Sequence, residues 1–145
     1  MPLIARNVDT GEVVADRVGV AATRATRAVG LLTRAALDAG EALWIVPSRG
    51  VHTWGMRFAI DVIALDQRGV VIDCVFRLKP WRIRLPRRGT AGVLELPVGA
   101  LERSRTAIGH RIEFQSVVPA PALRPGRGVA AAIPAVASDL EELRS

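Results

Sequence analysis

Six side chains with chemistry to offer lie in one short stretch of an otherwise apolar region. "GVHTWGMRFAIDVIALD", residues 50–66, holds His52, Thr53, Trp54, Met56, Arg57 and Asp61. An imidazole moves protons, a guanidinium holds an anion, and a carboxylate between Ile60 and Val62 must be paired or protonated. By strand alternation Asp61 shares a face with Ile63 and Leu65. Arg57, four residues earlier across an expected bend, is the natural countercharge. Glu95, between Leu94 and Leu96 in "VLELPVG", poses the same problem. A buried network of Asp61, Glu95 and Arg57 would pin the preceding loop against a sheet, and scaffolding is the reading we assign to Asp61. The competing reading is catalytic: His52 with Asp61 or Glu95 as a general acid/base pair in a hydrolase-like site.

Other chemistries have weaker patterns. His52 and His110 are the two histidines, and with Asp61 they lack metal-type spacing, so no metal and no cofactor is expected. Ser48, His52 and Asp61 lack the glycines of a nucleophile elbow. Ligand contact suits the loop better. His52, Thr53, Trp54, Met56 and Arg57, joined by Trp81 and Arg82, would line a polar pocket at the end of a sheet. Tryptophans stack on flat ligands, and Arg57 suits an anionic group or a sugar hydroxyl. The expected partner is therefore a small polar or anionic ligand.

"RLKPWRIRLPRR", from Arg77 to Arg88, carries six positive charges and no acid. A basic strand with a Trp is one ingredient of single-strand nucleic-acid binding. A solvated edge strand whose charges discourage pairing explains it as well. In an extended chain Arg82 and Arg84 share one face, with Ile83 and Leu85 opposite. Weak nucleic-acid binding through this stretch ranks below the small-ligand reading.

The elements that must position these residues follow from composition and period. With 145 residues and half of them apolar, the chain suits one domain with one core. Three Trp, three Phe and no Tyr leave that core to aliphatic side chains. One cysteine, Cys74 in "VVIDCVF", excludes a disulfide framework and reads as a small buried hydrophobe. The start "MPLIARNVDTGEVV" has no signal-peptide pattern and no stretch reaches membrane-spanning length, so a cytoplasmic protein without membrane association is expected. The net charge is +6, and all basic residues but Lys79 are Arg.

"LIARNV" and "EVVADRV" flank the turn residues Asp9-Thr10-Gly11 and predict a hairpin. Helical spacing predicts a helix over Thr23–Leu37, with Gly30 a weak point. "EALWIVP" reads as a buried strand stopped by Pro47. "AIDVIALD", "DQRG" and "VVIDCVF" predict a second hairpin. "AGVLELPVG" is a further strand, "GALERSRTAIG" a helical turn or two ended by Gly109, and "HRIEFQSVV" a closing strand. The sum is an α+β domain, mostly β: a curled antiparallel sheet or small open barrel with one or two short helices. It spans residues 1–118. Residues 119–145 form a Pro/Ala-rich tail expected to be disordered or loosely packed, with "SDLEELRS" a capped helical turn.

"GLLTRAAL", "ALWIVPSRGVHTWGMRFAIDVIALDQRGVV", "LKPWR", "VLELPVG" and "IGHRIEF" resemble, in this order, the DUF192 family of small uncharacterised proteins. The block His52-Thr53-x-x-Met56-Arg57-x-x-Ile60-Asp61 is its most specific part, and the likeness runs from about Arg27 to Phe114. The resemblance implies a β-rich fold with a short helix and brings no activity. The family usually has Gly-Asp where this chain has Gly109-His110, so no role of that Asp is carried over.

Residues 119–138 have no periodic apolar pattern. Truncation after Val118 is expected to leave the melting temperature unchanged. A drop beyond about 4 °C in a thermal melt would show that the tail packs on the domain.

Overall fold

A turn built by side chains as well as glycine opens the chain. In the computed structural model, which describes residues 3–21, 35–48, 51–85 and 87–117, β1 (Leu3–Asn7) and β2 (Val13–Ala21) pair antiparallel. Asn7, fully buried, accepts the amides of Asp9 and Thr10 on Oδ1, and Gly11 takes φ 76°. The strand β3 (Glu41–Ile45) then lies parallel to β2. A parallel neighbour requires a crossover connection between β2 and β3. Most of the helix expected over Thr23–Leu37 lies outside the described residues, as do the tail from Val118 onward and its terminal turn.

The remaining strands are β4 (Val51–His52), β5 (Ile60–Leu65), β6 (Val71–Leu78), β7 (Ile83–Arg84), β8 (Gly92–Pro97) and β9 (Ile112–Ser116). Of the nine strands among the described residues, seven form one curled sheet in the order β6-β5-β8-β3-β2-β1-β9, a half-barrel; β4 and β7 form a separate two-stranded flap. Apart from β2–β3, every pairing is antiparallel, as the alternating strands and short turns predict. Among the described residues the two edge strands, β6 and β9, approach each other at their starts. Val71 N–H donates to His110 O at 2.8 Å and Ile112 N–H to Gly69 O at 2.9 Å, joining the start of β6 to the start of β9. Gly69 is required there: its φ is 83°, and a Cβ would lie 2.7 Å from the Ile112 carbonyl oxygen.

Strand alternation divides the interior into two clusters. On β5, Ile63 and Leu65 join Leu94, Leu96 and Leu101 in the larger one; Ile60 and Val62 join Val93, Val51 and Met56 in the smaller. All six β5 residues are buried, one of them Asp61. The one helix among the described residues, α1 (Ala100–Ser104), buries Ala100 and Leu101 in the larger cluster. Arg105, at φ 53°, ends it, four residues before the Gly109 expected to do so. Gly109 instead serves the turn into β9, where its N–H reaches Val71 O.

The β5–β6 turn carries a pH-sensitive bond pair. Asp66 Oδ1 accepts the amides of Arg68 at 2.8 Å and Val70 at 2.9 Å. The Val70 amide bond is the main cause that holds its carboxyl below the usual carboxylate range, with Arg68 adding to it. A depressed folded-state value contributes stability above the unfolded value of 3.8, lost as pH falls through the folded one. Urea unfolding at neutral pH and at about pH 3 is expected to show a smaller gap in Asp66→Asn than in the parent. An unchanged gap would contradict this.

Candidate functional site

Asp61 is 1 % exposed, and its partners are backbone amides rather than Arg57. Oδ1 accepts Arg77 N–H at 3.0 Å; Oδ2 accepts Gly99 N–H at 3.0 Å and Leu101 N–H at 3.2 Å. The last two bonds cap a helix. Gly99 occupies the N-cap position at φ 100° and has no side chain for the task, so a carboxylate from β5 does it. The first bond holds a bulge. Ile60 pairs with Leu78 and Val62 with Val75, so Phe76 and Arg77 together oppose Asp61. Arg77 pays for the extra residue with a left-handed φ of 51°. The expected Asp61–Arg57 pair does not form; Arg57 is exposed.

The expected network of Asp61 with Glu95 is ruled out by register. Asp61 pairs with Leu96, and Glu95 with Val62. Adjacent strand residues point to opposite faces, so Asp61 belongs to the larger cluster's side and Glu95 to the smaller's. Glu95 is fully buried, beside Val62 and Leu43. His52 lies on β4, whose neighbour Val51 packs into that same smaller cluster. Asp61 and Glu95 therefore do not share one site, and the Asp61 carboxylate is taken up by three amides.

The loop after β4 sorts its residues by depth. Thr53 is fully buried: Oγ1 donates to Lys79 O at 2.6 Å and accepts Arg82 N–H at 2.9 Å, and its backbone exchanges bonds with Arg82, Met56 and Trp81. Met56 is a core residue. Trp54 and Trp81 are 53 % and 66 % exposed, so neither caps the core, and Arg57 and Arg82 are exposed with them. The His52 and Trp54 rings lie 5.8 Å apart at 48°. Trp81 holds φ 63°, a conformation rare for a bulky side chain, with its N–H on Thr53 O at 3.0 Å. Thr53 and Met56 thus build the loop, while Trp54, Arg57, Trp81 and Arg82 form its outer surface.

The basic stretch is oriented opposite to the simple alternation. Arg84 points inward, donating Nε and Nη2 to the two oxygens of buried Asp73, each at 3.0 Å. The bonds to Asp73 raise the Arg84 guanidinium above its usual value. Arg87 Nε lies 3.7 Å from Asp73 as well. Ile83 and Leu85 face solvent at 56 % and 77 % exposure. A bidentate carboxylate outweighs two apolar side chains because a buried, unpaired Asp73 would cost far more than their exposure. Asp73 was legible: like Asp61, it interrupts an apolar strand.

Two open clefts adjoin this stretch. One, about 700 Å³, is lined by Asp66, Gln67, Arg87, Arg88, Gly89, Thr90 and Ala91; the other, about 410 Å³, by Ile83, Arg84, Leu85 and Arg87. Neither is lined by His52, Trp54, Arg57 or Trp81, which present a surface rather than the walls of these clefts.

Cys74 is half-buried, and burial above all, with the Asp73 and Asp61 charges, pushes its thiol up to about 11. It is protonated at neutral pH and a poor nucleophile. His110 lies at the β9 end, where its Nδ1 meets Asn7 Nδ2 at 3.1 Å and Ala107 N–H at 3.2 Å. Both neighbours donate, so Nδ1 is the acceptor and the ring proton belongs on Nε2. Nδ1 stands as many bonds from Cα as an aspartate Oδ. Among the described residues no three His, Cys, Asp or Glu side chains converge as a metal site.

Asp61→Asn keeps an acceptor but turns an NH2 group toward amide donors. It is expected to cost about 2–4 kcal/mol in chemical denaturation, with Arg57→Ala near parental stability. Parental stability of Asp61→Asn would remove Asp61 from its central role.

The chain is similar to proteins named UPF0127. A UPF0127 protein of Thermococcus sibiricus is 31 % identical over 125 residues, covering 79 % of this chain and 80 % of that protein. One of Pyrococcus abyssi is 34 % identical over 104 residues, covering 68 % and 86 %. The crystal structure of a protein of unknown function from Novosphingobium aromaticivorans superposes with a TM-score of 0.66 at 22 % identity, over 78 % of this chain and 84 % of that one. The family model matches residues 5–114, reaching further upstream than the sequence blocks from Arg27, because β1 and β2 are integral strands of the sheet. The chain belongs to the DUF192 family (Uncharacterized ACR), which the match over residues 5–114 shows.

Proposed function

We propose that this protein is a cytoplasmic binding or accessory module whose recognition surface is the β4–β7 flap and its loops. The observation that carries this is Thr53. A fully buried hydroxyl and its backbone hold the segments around Trp54 and Trp81 in fixed register, yet both indoles remain more than half exposed. Exposed tryptophans on a rigid frame lose little freedom on binding and offer flat apolar faces. Arg57 and Arg82 add donors for an anionic group or a sugar hydroxyl. The ligand class is thus a small molecule with a flat apolar face and a polar or anionic edge. The strained φ of Trp81 supports the reading, since such backbone cost persists where geometry is used. The single cysteine supports the cytoplasmic assignment.

A thermal-shift screen of sugars and small anions is the test. A ligand that raises the melting temperature of the parent is expected to bind about 1–3 kcal/mol more weakly to Trp81→Ala, with the unliganded variant as stable as the parent. A ligand whose shift survives both Trp54→Ala and Trp81→Ala would place recognition elsewhere.

A second reading, weak single-strand nucleic-acid binding, is favoured by Trp81 exposed beside Arg82. It has fewer free cations than the composition suggests, because Arg84 and Arg87 face Asp73. Anisotropy titration of a labelled oligonucleotide at two salt concentrations separates the readings. Arg82→Ala flattens the salt slope by about one only if a phosphate sits there.

A further inference from the structure

The cleft of about 700 Å³ lies at the far end of β5 from the tryptophan loop. Lys79, held by Thr53, follows the Leu78–Ile60 pair, whereas Asp66 follows Leu65; the β5 span between them is about 17 Å. We propose that this cleft, between the β5–β6 turn and the Arg87–Ala91 loop, is a second binding site, for a phosphate-class oxyanion seated on Arg88 and Arg87.

Both walls are rigid before any ligand arrives. Ala91 N–H donates to Leu65 O at 2.8 Å and Ser48 N–H to Ala91 O at 3.1 Å, fastening the loop to the sheet. Thr90 closes the turn on Arg87 O with both its amide, at 3.1 Å, and its hydroxyl, at 2.6 Å. Gly89 at φ 92° permits that turn, and nothing lies within 4 Å of where its Cβ would stand. The opposite wall is held by the Asp66 bonds to Arg68 and Val70.

The donors in the cleft outnumber its acceptors. Among the described residues the Arg88 guanidinium pairs with no carboxylate, and the Arg88 and Gly89 amides donate to no described atom. The Gln67 side chain adds an amide. Arg87 is steered from behind by Asp73 at 3.7 Å, a distance that leaves donors to spare. The one acid in the lining, Asp66, spends Oδ1 on two backbone amides, and its Oδ2 faces Arg68 at 3.5 Å. The lining therefore offers an anion the Arg87 and Arg88 side chains and the backbone of Arg88 and Gly89, against one acid, Asp66, whose oxygens already face donors. Fixed donors around an open volume are what a planar-forked Arg pair needs to hold a tetrahedral oxyanion.

Isothermal titration of the full chain at low ionic strength, with inorganic phosphate and with glycerol 3-phosphate, tests this. Saturable binding of at least one probe is expected, weakened about tenfold in Arg88→Gln and unchanged in Trp81→Ala. Arg88 is exposed, so the variant keeps the fold, which circular dichroism checks. Tighter binding of the ester identifies a phosphorylated metabolite as the source; equal binding identifies free phosphate. Absence of heat with both probes, or equal affinity in Arg88→Gln, overturns the proposal. Loss in Trp81→Ala overturns it too, by moving the anion to the tryptophan loop.

Discussion

One desolvated carboxylate ties three parts of this fold together. Asp61 lies on β5, between β6 and β8, and each of its bonds ends on backbone from a different place: the β6 bulge, the turn after β8, and the first turn of α1. Charge-assisted bonds to amides are strong where water is excluded, and leaving such a group unpaired is costly. The arrangement works because two of the three segments cannot help themselves. Gly99 has no side chain to cap the helix it begins, and Arg77 sits in a left-handed conformation that needs support. The same carboxylate is thereby removed from chemistry.

The flap repeats this logic on the opposite face. Thr53 and Asp73 are buried polar groups: Thr53 donates to the Lys79 carbonyl and accepts the Arg82 amide, and Asp73 accepts the Arg84 guanidinium and faces that of Arg87. They fasten a two-stranded ribbon, too small to be stable alone, onto the smaller apolar cluster. Arg84 does structural work, so part of the Arg excess is framework and not a polyanion surface. What stays exposed is consequently specific: indoles and Arg57 and Arg82 at one end of β5, Arg88 and backbone donors at the other.

Much of the architecture was legible because period and turn chemistry are local. Alternation in "AIDVIALD" and "VVIDCVF", joined by Asp66-Gln67-Arg68-Gly69, leaves one sensible arrangement, and the hairpin forms as read. The burial of Asp61 followed from its neighbours. Its partner did not, because amides of Arg77, Gly99 and Leu101 carry no sequence signature; every residue has one. The countercharge nearest in sequence, Arg57, was the visible candidate and the wrong one. Asn7 and Asp73 carry signals of their own, an Asx turn before Asp9-Thr10-Gly11 and an acid in an apolar strand.

The sequence by itself determined the strand-rich class, the two hairpins, the positions where polar groups enter the core and the inert setting of Cys74. Those properties depend on neighbours within a few residues. Tertiary structure decided everything that depends on register between distant strands. It set Asp61 and Glu95 on opposite faces, laid β3 parallel to β2, turned Arg84 inward and Ile83 outward, and buried Thr53 and Met56 while leaving Trp54 and Arg57 exposed. A shift of one residue in pairing reverses every side chain of a strand, and no local pattern specifies which of two distant strands will meet in which phase.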